Sequence, residues 1–306
     1  VGDGVFAYLQ QGGWGFSNAG LVTDSGSSLL VDTLYDLALT GRMLEEMRRA
    51  TPAAQRIGTL VNTHANGDHC WGNQLVGEAT IVSSRSAAHE MLELSPRLMS
   101  ALVGGARAIT RFGSPARKLL GLVGRLGVPR ASALSDAADF IVERFGAFDY
   151  RGIKLTLPAH TFDGRLALTV GGKLVELIEV GPAHTKGDVV VHVPSARVAF
   201  TGDILFIGSH PIIWEGPVSN WIAACDRLLA LPVDVIIPGH GPVTDKEGVR
   251  RTKTYWEHLA RVTREGVAAG ASTEDIARQL LADRAVDWTE PHRLVVNVDT
   301  LRRELV

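Results

Sequence analysis

Four short stretches of this 306-residue sequence carry side chains able to hold a metal ion. The densest is Thr63-His64-Ala65-Asn66-Gly67-Asp68-His69. Two imidazoles and a carboxylate on one glycine-containing loop can converge on a point, and both groups are good zinc ligands. The plainer alternative is a polar turn whose His and Asp cap a following helix. Three later stretches repeat the pattern of a strand-like run ending in one such residue. Val180-Gly181-Pro182-Ala183-His184-Thr185 presents His184, Phe200-Thr201-Gly202-Asp203 presents Asp203, and Val235-Ile236-Ile237-Pro238-Gly239-His240-Gly241 presents His240. Each alone is an ordinary turn. All four in this order point to a metal centre.

Such a centre needs rigid elements to aim its loops. Leu21–Thr23 and Ser28–Val31 read as strands around the turn Asp24-Ser25-Gly26, and Leu37–Ala50 carries helical periodicity ahead of Pro52. Ile57–Thr63 is a short apolar run ending at the first histidine loop, and Ala79–Ser83 is a further strand. Between about residues 85 and 148 the composition turns to Ala, Leu, Met, Arg and Gly. Leu92, Leu94, Leu98, Met99, Leu102 and Val103, then Leu119, Leu120, Leu122 and Val123, predict short amphipathic helices broken by Gly104-Gly105 and Gly113. These helices either pack on the sheet or form a lid over a substrate cleft. Strand grammar then returns at Lys154–Leu157, Leu166–Val170, Lys173–Glu179, Val189–Val193, Val198–Phe200 and Val235–Ile237, with helices at Ile222–Leu229 and Lys253–Gly266. Alternating strands and helices predict an α/β fold, in which loops at one sheet edge can bring their side chains together. One domain over residues 1–306 with a helical insertion at about 85–148 is expected.

The order His64…Asp68-His69…His184…Asp203…His240 resembles the metallo-β-lactamase superfamily, over about residues 14 to 250. The resemblance implies an αββα sandwich and a two-metal cleft. His64 and His184 would help hold one metal and Asp68, His69 and His240 the other, with Asp203 bridging. Asp32, at a strand end, resembles the family's buried acid behind the ligand loop, unless it merely caps its turn. The departure is Asn66, where the family's His-x-His-x-Asp-His loop carries a second histidine. An amide oxygen is a weak zinc ligand beside a neutral imidazole. One tightly held zinc and a weaker neighbour are therefore expected, or else Asn66 turns its amide toward substrate or a metal-bound water. Bound zinc brings the pKa of its water to about 7 and polarises a carbonyl oxygen, while Asp68 would orient that water and accept its proton. Cys70 adjoins His69 but is expected to pack inward.

The leading functional expectation is a metal-dependent hydrolase acting on an ester, thioester or lactone-like carbonyl. The run Asn66-Gly67-Asp68-His69-Cys70-Trp71-Gly72-Asn73, the helical insertion and His210-Pro211-Ile212-Ile213-Trp214 resemble a narrower branch, the actinomycete enzymes that serve aromatic polyketide pathways as cyclases or thioesterases on carrier-bound chains. From a different class, a non-catalytic binding protein with a decayed metal site would also retain this pattern. Trp14, His210 and Trp214 could line the substrate pocket or be structural loop residues. With 31 Lys+Arg against 33 Asp+Glu the net charge is −2, which argues against a nucleic-acid partner. Hydrophobic residues are 45% and charged ones 21%, the balance of a folded globular chain. Cys70 and Cys225 cannot form a disulfide framework. No charged segment leads into an apolar run, and no stretch approaches the roughly 20 apolar residues of a bilayer span, so a cytoplasmic location and no membrane partner are expected. The segment Ser272–Val306 reads as packing or an oligomer contact; oligomeric state stays open.

Overall fold

The computed structural model describes residues 1–113, 129–283 and 286–305. Two sheets carry the fold. The first runs β1 (Val5–Tyr8), β2 (Ala19–Asp24), β3 (Ser27–Val31), β4 (Thr59–Val61), β5 (Thr80–Ser84), β6 (His160–Phe162) in spatial order. Its first three strands are antiparallel and β3 through β6 parallel. The second runs β11 (Val235–Ile237), β10 (Val198–Phe200), β9 (Val189–Val193), β8 (Lys173–Glu179), β7 (Arg165–Val170), antiparallel except for the β10–β11 pair.

Because side chains alternate across a strand, each sheet buries two faces. Val22, Val31, Val61 and Val82 of the first sheet meet Leu177, Val191, Phe200 and Ile237 of the second in a common inner core. On the opposite face of the first sheet, Leu21, Leu30, Leu60 and Ile81 pack on Met43, Leu44 and Met47 of helix α1 (Leu37–Ala50). On the outside of the second, Ile178, Val190, Ala199 and Ile236 pack with the C-terminal helices. The layers are helix, sheet, sheet, helix, as the αββα expectation had it. Helix α1 starts where Asp36 accepts a hydrogen bond from Leu39 N, and its last turn carries Arg48 and Arg49 beside the negative dipole end.

The first histidine loop contains the one-turn helix α2 (Gly67–Cys70), and β5 is followed by α3 (Arg85–Glu90), α4 (Pro96–Phe112) and α5 (Pro129–Phe145). Gly104 and Gly105 do not break α4. Ser95 caps its start, Gly113 ends it at φ +58°, and Met99, Val103, Ala106 and Ile109 form a buried stripe through its length. That packing outweighs a cost of about 1 kcal/mol per glycine. Leu119, Leu120, Leu122 and Val123 lie outside the described residues. Lys154–Leu157 is irregular rather than a strand, because the β5 edge is taken by His160–Phe162 instead. The remaining helices are α6 (Val218–Ala230), α7 (Lys246–Ala268), α8 (Thr273–Ala282) and α9 (Arg293–Glu304). Among the described residues no helix is long and apolar enough to cross a membrane.

Candidate metal centre

The loops that follow β4, β8, β10 and β11 deliver His64, Asp68 and His69, then His184, Asp203 and His240. All six side chains meet. Ligand atoms of His64, His184 and Asp203 lie within 4.8 Å of one another, and so do those of Asp68, His69 and His240. Asp203 stands between the groups: its Oδ2 is 3.3 Å from Nε2 of both His184 and His240 and 3.7 Å from that of His64. Its Oδ1 is 3.1 Å from His69 Nε2. Asp68 Oδ2 is 3.5 Å from His240 Nε2 and 3.9 Å from His69 Nε2.

Every histidine is held by its other nitrogen. His64 Nδ1 meets Thr63 Oγ1 at 3.0 Å, His69 Nδ1 meets Asp32 Oδ2 at 2.9 Å, His184 Nδ1 meets the Ile212 carbonyl at 2.7 Å, and His240 Nδ1 meets the Phe16 carbonyl at 3.0 Å. Thr63 gives its hydroxyl proton to Asp32 at 2.7 Å, so its oxygen accepts from His64. An Nδ1–H spent in this way leaves the Nε2 lone pair facing inward, the tautomer a metal ligand needs. His64 Nε2, His69 Nε2 and Asp203 Oδ1 are buried with no hydrogen-bond partner. Unpaired buried polar atoms are costly, and a divalent cation is the group that would satisfy all three. The residues fit a metal.

The charges in the site act on one another, and they favour a proton on His69 that a metal would have to displace. Burial works against a charged Asp203, but His240, His69, His64 and His184 outweigh it and hold the carboxyl well below its usual range. Burial also disfavours a charged His69, yet the carboxylates of Asp203, Asp68 and Asp32 keep it well above the ordinary imidazole value. His64 and His184 are pushed down by burial. Cys70 is buried, its thiol pushed well up by desolvation, and its Sγ is turned to the Ala65 carbonyl at 3.4 Å.

Asn66 lines the cleft and spends its amide on a ligand. Its Nδ2 lies 3.0 Å from His184 Nε2, so the amide donates to the very atom a metal would use. The loop holding His184 is fixed by Asp188, a residue the sequence reading passed over. Its carboxylate accepts from Ala183 N, Thr185 N and Thr185 Oγ1. Burial pushes it up to about 7 in spite of those bonds. Gly239 matters by what it lacks, since a Cβ there would run into Asp203 Oδ1.

A cavity of about 370 Å³ opens over the centre, with Asn66, Asp68, His184, Asp203 and His240 in its floor and walls. Trp14 and Trp214 line it, as do Leu94 just before α4, Met99 of α4 and Phe145 of α5. His210 does not. It is buried in the C-terminal layer, with Nδ1 3.2 Å from the Tyr255 hydroxyl and its ring against Trp288. The backbone there hydrogen-bonds to Thr289 and is thereby carried away from the cleft.

Two further residues come from the segment read as packing or an oligomer contact. Arg293 lines the cavity. Glu290, at φ +62°, accepts from Trp14 Nε1 at 2.9 Å and from Arg144 Nη1 at 3.1 Å through both oxygens, tying α5 to the N-terminal loop. Phe140 and Phe145 of α5 pack edge-on to the same Trp14 ring. Glu290→Gln is expected to cost about 1–3 kcal/mol and to speed amide exchange in residues 137–145. Unchanged exchange there would show that α5 is held by its apolar contacts alone.

Residues 12–240 match a family model described as the metallo-beta-lactamase superfamily. The 2,4-dinitroanisole O-demethylase subunit alpha of Nocardioides sp. is 29% identical over 124 residues, 40% of this chain and 38% of that protein. The linear primary-alkylsulfatase of Pseudomonas sp. is 26% identical over 253 residues, 78% of this chain and 43% of that protein. Each match thus spans less than half of the relative's length. Among solved structures, a metallo-beta-lactamase from Pontibacter korlensis aligns with a TM-score of 0.56 at 17% identity, over 84% of this chain and 96% of that one. That likeness is one of fold alone.

Proposed function

The chain belongs to the metallo-β-lactamase superfamily, and from that membership we propose that it is a metal-dependent hydrolase of ester- or thioester-type carbonyl substrates, with zinc as its metal. One observation carries the reading: four imidazoles, each with Nδ1 already spent, present Nε2 to a shared, buried Asp203. His64, His184 and Asp203 would hold one ion, and Asp68, His69 and His240 the other, with Asp203 common to both. Zinc bound there supplies Lewis-acid polarisation of a carbonyl and an acidified water. Asp68, less buried than the other ligands, would orient the attacking water and take its proton at the carboxylate oxygen that does not face the ion. The apolar walls exclude competing solvent, and Asp32 keeps the His69 ring in place through Nδ1.

Asn66 weakens the first site in this reading, because its amide occupies His184 Nε2. Metal content of chelator-free protein is expected near one zinc per chain, rising toward about two in Asn66→His. Two ions in both would overturn the weak-site assignment. None in either would overturn the metal reading and favour a binding protein with a decayed site.

A second reading has one observation in its favour. Trp14, Tyr35, Trp71, Phe145, Phe206 and Trp214 all line the cavity, an aromatic enclosure suited to ring closure or release of a carrier-bound aromatic polyketide chain. Simple aryl esters and acyl thioesters turned over at comparable rates would favour the general hydrolase.

A further inference from the structure

Arg293 opens helix α9, beyond residues 12–240 that match the family model. It is 4% exposed, yet it stands in the cavity wall with Asp203, His240 and Phe206. Its guanidinium carbon lies 4.6 Å from the centre of the Trp14 ring and 5.3 Å from that of Phe206. Nη1 donates to the His210 carbonyl at 2.8 Å. Nε is buried without any partner. No carboxylate among the described residues comes within ion-pair distance of it; Glu290, Asp203 and Asp68 act on its charge only from farther off, and Glu290 is also engaged by Arg144, Trp14 and His292.

A buried guanidinium without an ion pair is expensive. Packing alone is a poor reason to keep one, since an apolar side chain of that length would fill the space between Trp14 and Phe206 and leave only the His210 carbonyl without its donor. Two aromatic faces hold the guanidinium plane, which preorganises the donor fork. Planar N–H donors suit the oxygens of a carboxylate, sulfonate or sulfate. We propose that Arg293 is the specificity-determining residue of the cleft, seating an oxyanion group of a substrate whose apolar or aromatic body lies among Trp14, Phe206 and Trp214. The assignment rests on the cleft being the substrate site proposed above, but it concerns binding and stands or falls without turnover.

The test is calorimetric titration of the metal-loaded protein with naphthalene-2-sulfonate and with its neutral counterpart 2-naphthyl methyl sulfone. Sulfonate is expected to bind about 10-fold tighter or more, the gain of one charge-assisted hydrogen-bonded contact. In Arg293→Gln that preference should vanish, while sulfone affinity moves by less than about 3-fold. Arg293→Met, which keeps the stem, serves if the Gln variant does not fold. The proposal is overturned if the native protein shows no preference, or if either variant loses both probes equally. It is equally overturned if the preference survives in the variant and disappears only on chelation, which would put the anion on the metal. Discrimination between the probes without hydrolysis of any ester or thioester would leave Arg293 in its role and remove the hydrolase reading.

Discussion

Replacing Asp203 by asparagine is expected to lower kcat/KM by about a thousandfold or more, equivalent to roughly 4 kcal/mol of transition-state stabilisation, and to strip metal from both groups of ligands. Among the described residues the carboxylate is the only side chain that approaches all four imidazoles, at 3.1 to 3.7 Å. An amide of the same shape removes the negative charge that all four imidazoles face, and one of its two positions becomes a donor. The shape of the site is otherwise preserved, so secondary structure should stay native by circular dichroism while metal analysis reports the loss. Full metal content with native turnover would remove Asp203 from the shared position.

Asp32→Ala should have the largest effect on stability. Asp32 is buried at φ +63° and receives three donors: Thr63 N at 2.7 Å, Thr63 Oγ1 at 2.7 Å and His69 Nδ1 at 2.9 Å. Removing the acceptor strands all three in the interior. Loss of about 3–5 kcal/mol in chemical denaturation is expected, together with metal affinity weakened about 10–100-fold, as for other residues that orient a ligand. Asp32→Asn divides the two effects. Asparagine tolerates the left-handed backbone that alanine resists, so stability should fall less, while metal affinity should still drop because an uncharged amide is a poorer partner for His69 Nδ1. An alanine variant within about 1 kcal/mol of native, with unchanged affinity in chelator competition, would make Asp32 a simple turn cap.

His64, Asp203 and His240 were legible because each stands three residues past a short, largely apolar strand: Thr59–Val61 before His64, Val198–Phe200 before Asp203, Val235–Ile237 before His240. A strand end and a polar residue just past it are local facts. Asn66 was also visible as a departure, but its hydrogen bond to His184 depends on two loops 118 positions apart. Glu290 and Arg293 were invisible for the same reason, since their meaning comes from Trp14, 276 positions from Glu290. His210 misled because nearness in sequence to Asp203 suggested nearness in space. Tyr255 and Trp288, packed against it, place it elsewhere. Gly104-Gly105 misled because local propensity was set against a buried stripe that only tertiary contacts reveal.

The anchoring of His240 to the Phe16 carbonyl and of His184 to the Ile212 carbonyl has a kinetic and thermodynamic side. The ligand set spans residues 64 to 240, and its anchors reach back to residue 16, so no fragment of the chain can assemble it. Contacts so distant in sequence form late in folding. An ion held by either group needs loops from distant parts of the chain and so favours the folded molecule, and by mass action it stabilises that state by about 4 kcal/mol when free metal exceeds its dissociation constant a thousandfold. Metal supply would then govern how long the protein lasts as well as how fast it works.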